Sequence, residues 1–168
     1  MLNNPLILTL KLDTRHQQYF NSLRREHFPP ERNYLDAHLT LFHHLPANEK
    51  RIIQAIIHTA ANYAPMLLQV TGIKSIGNGV AFVMECSKLQ ALHKQLQQEW
   101  GAWLIPQDRQ KLWPHITVQN KVNPEAAKEL KQKLEQDFTP FGVTGIGLSL
   151  FEYQGGPWQW LEEFNFSR

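Results

Sequence analysis

The 168-residue sequence predicts a mixed α and β chain that is internally duplicated, so that it folds as two pseudo-symmetric lobes of one domain. Three observations carry this. Strand-like and helical patterns alternate along the whole chain. The segment "PPERNYLDAHLT" (29–40) aligns without gaps on "PQDRQKLWPHIT" (106–117), with Pro29/Pro106, Arg32/Arg109, Leu35/Leu112, His38/His115 and Thr40/Thr117 identical at a constant offset of 77. Each segment is followed by a helix and then by the tetrapeptide "VTGI", at 70–73 and again at 143–146. The repeats run over about 5–76 and 79–166.

The elements follow in order. "LILTLKL" (6–12) alternates Leu6, Leu8, Leu10 and Leu12 against Thr9 and Lys11, a strand with one buried face. Asp13 or Thr14 caps a helix reaching about Phe28, with Tyr19, Phe20 and Leu23 inward. "DAHLTLFHHLP" (36–46) is the next strand. The helix after Pro46 carries apolar residues at 52, 53, 56, 57 and 60. "MLLQVTGIKS" and "VAFVMECS" form a hairpin turning at Ile76–Gly79, where Asn78-Gly79 is the turn signal. Ser87 caps "KLQALHKQLQQEW", and Asn123-Pro124 opens "EAAKELKQKLEQ". The C-terminal segment is another hairpin, turning at Gly155-Gly156.

Composition narrows the function classes. With 42% hydrophobic and 19% charged residues the chain is ordinarily globular. The single cysteine, Cys86, excludes an internal disulfide and a cysteine-rich metal knuckle; it fits a reducing compartment and a packing role. The N-terminus "MLNNPLILTLKLD" lacks a basic n-region, and no apolar run approaches the ~20 residues that span a bilayer. The expectation is a soluble, cytoplasmic monomer without membrane contact. A net charge of +2 predicts local rather than extensive contact with nucleic acid.

The chemistry concentrates in the two His-x-Thr pairs. Side chains two apart on a strand share a face, so His38 and Thr40 point together with Leu39 and Leu41 behind them, and His115 and Thr117 do likewise. Equivalent residues of a twofold pair can face each other, which gives a groove two imidazoles and two hydroxyls. Near pH 7 one imidazole can accept a proton while the other donates one. Opening of a cyclic phosphodiester needs that pairing, with the threonine hydroxyls donating to the non-bridging oxygens. The scheme uses no metal and no cofactor.

Two His-x-Thr strands, "HLTL" and "HITV", in a duplicated chain of this length resemble the two-histidine (2H) phosphoesterase superfamily, which includes bacterial 2′-5′ RNA ligase and RNA 2′,3′-cyclic phosphodiesterase proteins. The resemblance covers essentially the whole chain. It implies an α+β bilobal fold, two antiparallel sheets lining a central cleft with helices outside. The termini then share one lobe. It implies a catalytic tetrad of His38, Thr40, His115 and Thr117, with His115 as base and His38 as acid. RNA ends or small cyclic-phosphate nucleotides would be the substrates, and 2′-5′ RNA ligation the reverse activity. Family members often carry a basic residue just after a motif; here Phe42 and Gln119 stand nearby instead. A nucleotide- or RNA-binding module without turnover is the alternative.

Other candidates have competing readings. Arg32 and Arg109 recur in the loops before the motif strands, either on substrate phosphates or in a repeated salt bridge with Glu31 or Asp108. Tyr34, Phe42, Trp113, Tyr153 and Trp158 are candidates for stacking on a base. Lys121 fits a solvated strand end. His43 and His44 point to opposite faces of an even strand and have no partner at metal-ligand spacing, so no metal site is expected. His16, His27, His58 and His93 read as surface residues of helices or their ends.

Overall fold

The computed structural model describes residues 4–168, so Met1–Asn3, the start of the stretch read for a leader, lie outside it. The elements run β1 (Leu6–Leu12), α1 (Thr14–His27), β2 (Leu39–Leu45), α2 (Lys50–Asn62), β3 (Met66–Ser75), β4 (Val80–Glu85), α3 (Ser87–Trp100), β5 (His115–Gln119), α4 (Pro124–Gln136), β6 (Phe141–Tyr153) and β7 (Trp158–Asn165). Short 3-10 turns occupy Pro30–Arg32, Gly101–Trp103 and Pro106–Arg109. Asp13 caps α1 by accepting from the His16 N–H at 3.0 Å, and Asn123 caps α4 by accepting from the Ala126 N–H at 2.8 Å. Ser87 is the first residue of α3 rather than its cap, a position held by Cys86 without a side-chain bond. On α1 the inward face carries Phe20 and Arg24, whereas Tyr19 is exposed and Leu23 only partly buried. In the β3–β4 turn the left-handed residue is Gly77, at φ 88°, one position before the expected Asn-Gly pair.

All strand pairs are antiparallel, in the order β2-β1-β6-β3-β4-β5, with β7 also on β6. Exchanging β1, β2 and β3 with β4, β5 and β6 reverses this order and leaves it otherwise unchanged. The two expected sheets are therefore present but fused. The thirteen-residue β6 pairs β3 along 141–145 and β7 along 147–153 on one edge, with β1 on the other. At the changeover, a Cβ on Gly147 would lie 2.5 Å from the Phe164 carbonyl oxygen, so β7 can approach only a glycine. The lobes are not the sequence repeats. One lobe holds β2, β1, β6 and β7, the other β3, β4 and β5, so each repeat sends its third strand across. The "VTGI" tetrapeptides are 73 residues apart, and so are Gln69 and Gly142, which pair directly in the β3–β6 ladder.

The apolar positions of the strands merge into one core with Phe20, Ile52, Ile56, Leu92, Leu96 and Trp100 of the helices. Helix α1 packs on β5, α4 on β3 and β4, and α2 on β6 and β7. The sheet curls, so that β2 and β5, at the two ends of its path, come within 8 Å between Cα atoms. No helix among the described residues is long and apolar enough to cross a membrane.

Candidate active site between the motif strands

Strand alternation sets the site. Leu39 and Leu41 of β2 are buried, as are Ile116 and Val118 of β5, while His38, Thr40, His115 and Thr117 remain half-buried on the opposite faces. The two imidazoles are oriented in the same way. The Nδ1 of His38 lies 2.8 Å from the Asp36 carbonyl oxygen, and the Nδ1 of His115 lies 2.7 Å from that of Trp113. Each carbonyl accepts from a protonated Nδ1, which leaves Nε2 as the free ring nitrogen in the neutral tautomer. Burial, together with the charges of Arg24, His115 and His43, pushes His38 down to about 4 against the opposing Asp36 carbonyl. Burial also lowers His115, aided by His43 and opposed by the Trp113 carbonyl. Each ring has a tryptophan neighbour: Trp113 stacks on His115 at 4.1 Å and 25°, and Trp158 lies 4.5 Å from His38 at 47°.

Behind the motif strands each half reaches into the other. The buried Arg24 of α1 donates to the Thr117 carbonyl at 3.2 Å and to Asn33 Oδ1 at 2.8 Å, and its guanidinium covers the Phe28 ring at 4.0 Å. Burial lowers Arg24 to about 10, which leaves it charged at neutral pH. The buried His93 of α3 places Nε2 2.9 Å from the Leu41 carbonyl and stacks on Phe42 at 4.5 Å. The expectation of a surface His93 is thus corrected: it fills the gap between α3 and β2.

Asp108, with its side chain wholly buried, accepts from the backbone N–H of His43 at 2.9 Å, from that of His44 at 3.0 Å, and from His43 Nδ1 at 2.9 Å. Burial alone would raise its carboxyl, but these bonds outweigh it and hold the group below the usual range. This pairing follows from an irregular β2, whose register to β1 shifts on both sides of Phe42. The shift exposes both His43 and His44 and breaks the alternation expected of an even strand. Among the described residues no three His, Cys, Asp or Glu side chains are grouped to hold a metal ion.

The remaining candidates separate. Phe42 is fully buried against His93 and Trp100, so it is core and cannot stack on a base. Arg109 donates to the Leu104 carbonyl at 2.9 Å and also bonds that of Gly101, bracing its own loop rather than facing the cleft. Arg32 is exposed at the end of the Pro30–Arg32 turn. Gln119 leaves the strand face of His115 and Thr117: the register to β4 shifts between Thr117 and Gln119, which pairs with the core residue Val80 and is buried, with an Oε1 that has no hydrogen-bond partner. Tyr153 is exposed at the end of β6, opposite Trp158. Lys121 is exposed beyond β5 with φ 64°, off the strand face. The sequence reading missed Arg24 and gave Asp108 only as a salt-bridge partner for the repeated arginines, whereas it pairs with His43. Both left a signal: Arg24 follows the inward Phe20 by one helical turn, and the acidic pair Glu31/Asp108 precedes each motif histidine by seven residues.

Comparison with known proteins joins this geometry to a family. The sequence profile of the 2′-5′ RNA ligase superfamily matches residues 12–157. A comparison with curated protein sequences gives no match. Among solved structures, the chain is similar to TT0787 of Thermus thermophilus, at a TM-score of 0.61 and 16% identity, covering 97% of this chain and 98% of that one. It is similar also to E. coli LigT complexed with 3′-AMP, at 0.61 and 16%, covering 98% and 99%, and to LigT complexed with ATP, at 0.59 and 16%, covering all of both chains. These likenesses show a shared fold, while the profile spans most of the chain: it belongs to the 2′-5′ RNA ligase superfamily, the two-histidine phosphoesterases.

Proposed function

We propose that this protein hydrolyses a 2′,3′-cyclic phosphodiester on a nucleotide or RNA end, using His38 and His115 as a general acid/base pair. The observation that carries the reading is the matched anchoring of the two rings. Each gives Nδ1 to the carbonyl two residues before it, and each stands on one face of its strand with a threonine. LigT complexed with 3′-AMP and with ATP supports a nucleotide as the substrate class.

In the hydrolytic step the oxygen of water bonds to phosphorus while one ribose oxygen leaves in line. His115 takes the proton of the water, His38 gives a proton to the leaving oxygen, and Thr40 and Thr117 donate to the non-bridging oxygens. No redox change occurs, and the two histidines have exchanged protonation states at the end. With a 5′-hydroxyl in place of water the same step forms a 2′-5′ linkage and frees the ribose 3′-oxygen, which is the ligase direction.

The test is turnover of nucleoside 2′,3′-cyclic phosphates and a short cyclic-ended RNA in EDTA, with His38→Ala and His115→Ala alongside. Each variant is expected to lose about 10²–10⁴-fold. Folded wild-type protein that binds nucleotide without turnover would make the cleft a binding module instead.

A further inference from the structure

Beside His38 the concave face of the first lobe opens into a cavity of about 610 Å³. Its walls are Trp158 and Trp160 of β7, Phe151 of β6 and Tyr34 from the loop before β2. Thr9 and Ser149, directly paired across β1 and β6 and both buried, lie in its floor in one row with Thr40. The ring partner that His38 receives from a distant hairpin, Trp158, is itself one wall of this cavity. Trp160 stays 53% exposed and Tyr34 59%, so both rings keep accessible faces on this one cavity.

We propose that this cavity takes the nucleobase of the nucleoside that carries the reacting phosphate, stacked on the β7 tryptophans. The inference rests on the phosphoesterase reading above and adds the side on which the substrate lies. Size admits a nucleoside, since pockets for such ligands run to about 300–1,000 Å³. Charge selects its neutral end. The one lysine in the lining, Lys11, is held by Glu163 at 2.6 Å and by Asn165 at 3.1 Å, and the other charged groups are the carboxylates of Asp36 and Glu163. A lining of that sign repels a phosphate and leaves acceptors for the N–H groups of a base. The phosphate therefore stays at the mouth, between the motif strands, and the base goes inward.

This orientation agrees with the roles that the family resemblance already implies for the two histidines. In a cyclic phosphate the leaving oxygen belongs to the ribose whose base is bound. A base beyond His38 puts that ribose on the His38 side, so His38 faces the leaving oxygen and His115 faces the attacking water.

The test combines binding and turnover in wild type, Trp160→Ala and Tyr34→Ala, two exposed positions whose loss leaves the core intact. Nucleoside 3′-monophosphates are titrated calorimetrically, and nucleoside 2′,3′-cyclic phosphates are compared with the base-free glycerol 1,2-cyclic phosphate. Trp160→Ala is expected to weaken nucleotide binding and raise KM by roughly 5- to 150-fold, the range for losing one base–aromatic stack. The loss on the glycerol ester should be several-fold smaller. Nucleotide binding that depends on Trp160 without any turnover keeps the base site and removes the phosphoesterase reading. Turnover with equal losses on both ester types, or turnover with nucleotide binding unaffected by both substitutions, overturns the base site and leaves the phosphoesterase reading standing. Wild-type protein that binds no nucleotide overturns both.

Discussion

The two motif strands hold their histidines alike and furnish their surroundings differently. His38 and His115 share the carbonyl anchor because that bond is local: it needs only a strand entry and a residue two positions back. The aromatic neighbours do not share an origin. Trp113 is two residues from His115 and stacks on it from its own loop, whereas Trp158 reaches His38 from β7, an element with no counterpart in the second lobe. The rows beside the threonines differ too. Thr40 continues into Thr9 and Ser149, while Thr117 continues into Ala81 and Lys74. The carbonyl anchor is thus common to the two motif strands, while the aromatic neighbours and the threonine rows are not.

The strongest way to break this comparison is to ask whether the two histidines do different work. On a cyclic phosphate, either alanine variant should lose about 10²–10⁴-fold. On a nucleoside 2′,3′-cyclic phosphate with sulfur in place of the leaving ribose oxygen, whose thiolate departs without a proton, His38→Ala should recover most of that loss and His115→Ala should not. Equal recovery by both, read as the ratio of kcat/KM on the two esters, would make the site symmetric in function as well as in geometry.

Smaller effects separate support from chemistry. Phe42→Ala should cost about 3–5 kcal/mol of stability as a core truncation, measured by urea unfolding. Asp108→Ala should cost about 1–3 kcal/mol by orphaning the His43 and His44 N–H groups. Because Asp108 is held below its ordinary pKa in the fold, its contribution is present above about pH 4 and lost as pH falls further. A urea midpoint for Asp108→Ala equal to wild type at pH 7 would remove it from the list of ties between the lobes.

The subtlest difference is in pH. Both histidines lie below their ordinary pKa of 6.5 in the free protein, His38 at about 4. One must be protonated and the other neutral, so the bell for kcat/KM should peak on the acid side of 6.5. A peak above pH 7 would show that the free cleft does not depress the pair. In the unfolded chain His38 takes up its proton near 6.5, so stability should decline from there toward pH 4, with a shallower decline in His38→Ala.

Much of this was legible in residue order. The offset of 77 between the His-x-Thr pairs, the alternation of β1 and the Asn123-Pro124 start of α4 are local patterns, and local patterns are what propensity reads. The repeated pattern went further and led to the expectation that the two motifs face each other. What stayed hidden depends on contacts between distant segments. Phe42 follows the motif like a site residue, but the irregular pairing of β2 turns it into the core. His93 lies on a helix rich in glutamine and lysine, and only the crossing of α3 behind β2 buries it. Arg109 repeats Arg32 in sequence yet closes a turn of its own. The crossing of the third strands has no local signature at all.

That crossing has a consequence in time. β1 leaves the ribosome long before its partner on one side, β6: Leu6 pairs with Glu152. At translation rates of 5–20 residues per second the wait is roughly 7–30 s. Through it a leucine-rich strand has an open edge, and β2 can shield only the other one. Nascent chains stalled before and after residue 152 should therefore differ sharply in protease resistance, with the early ones held open for want of a strand not yet made.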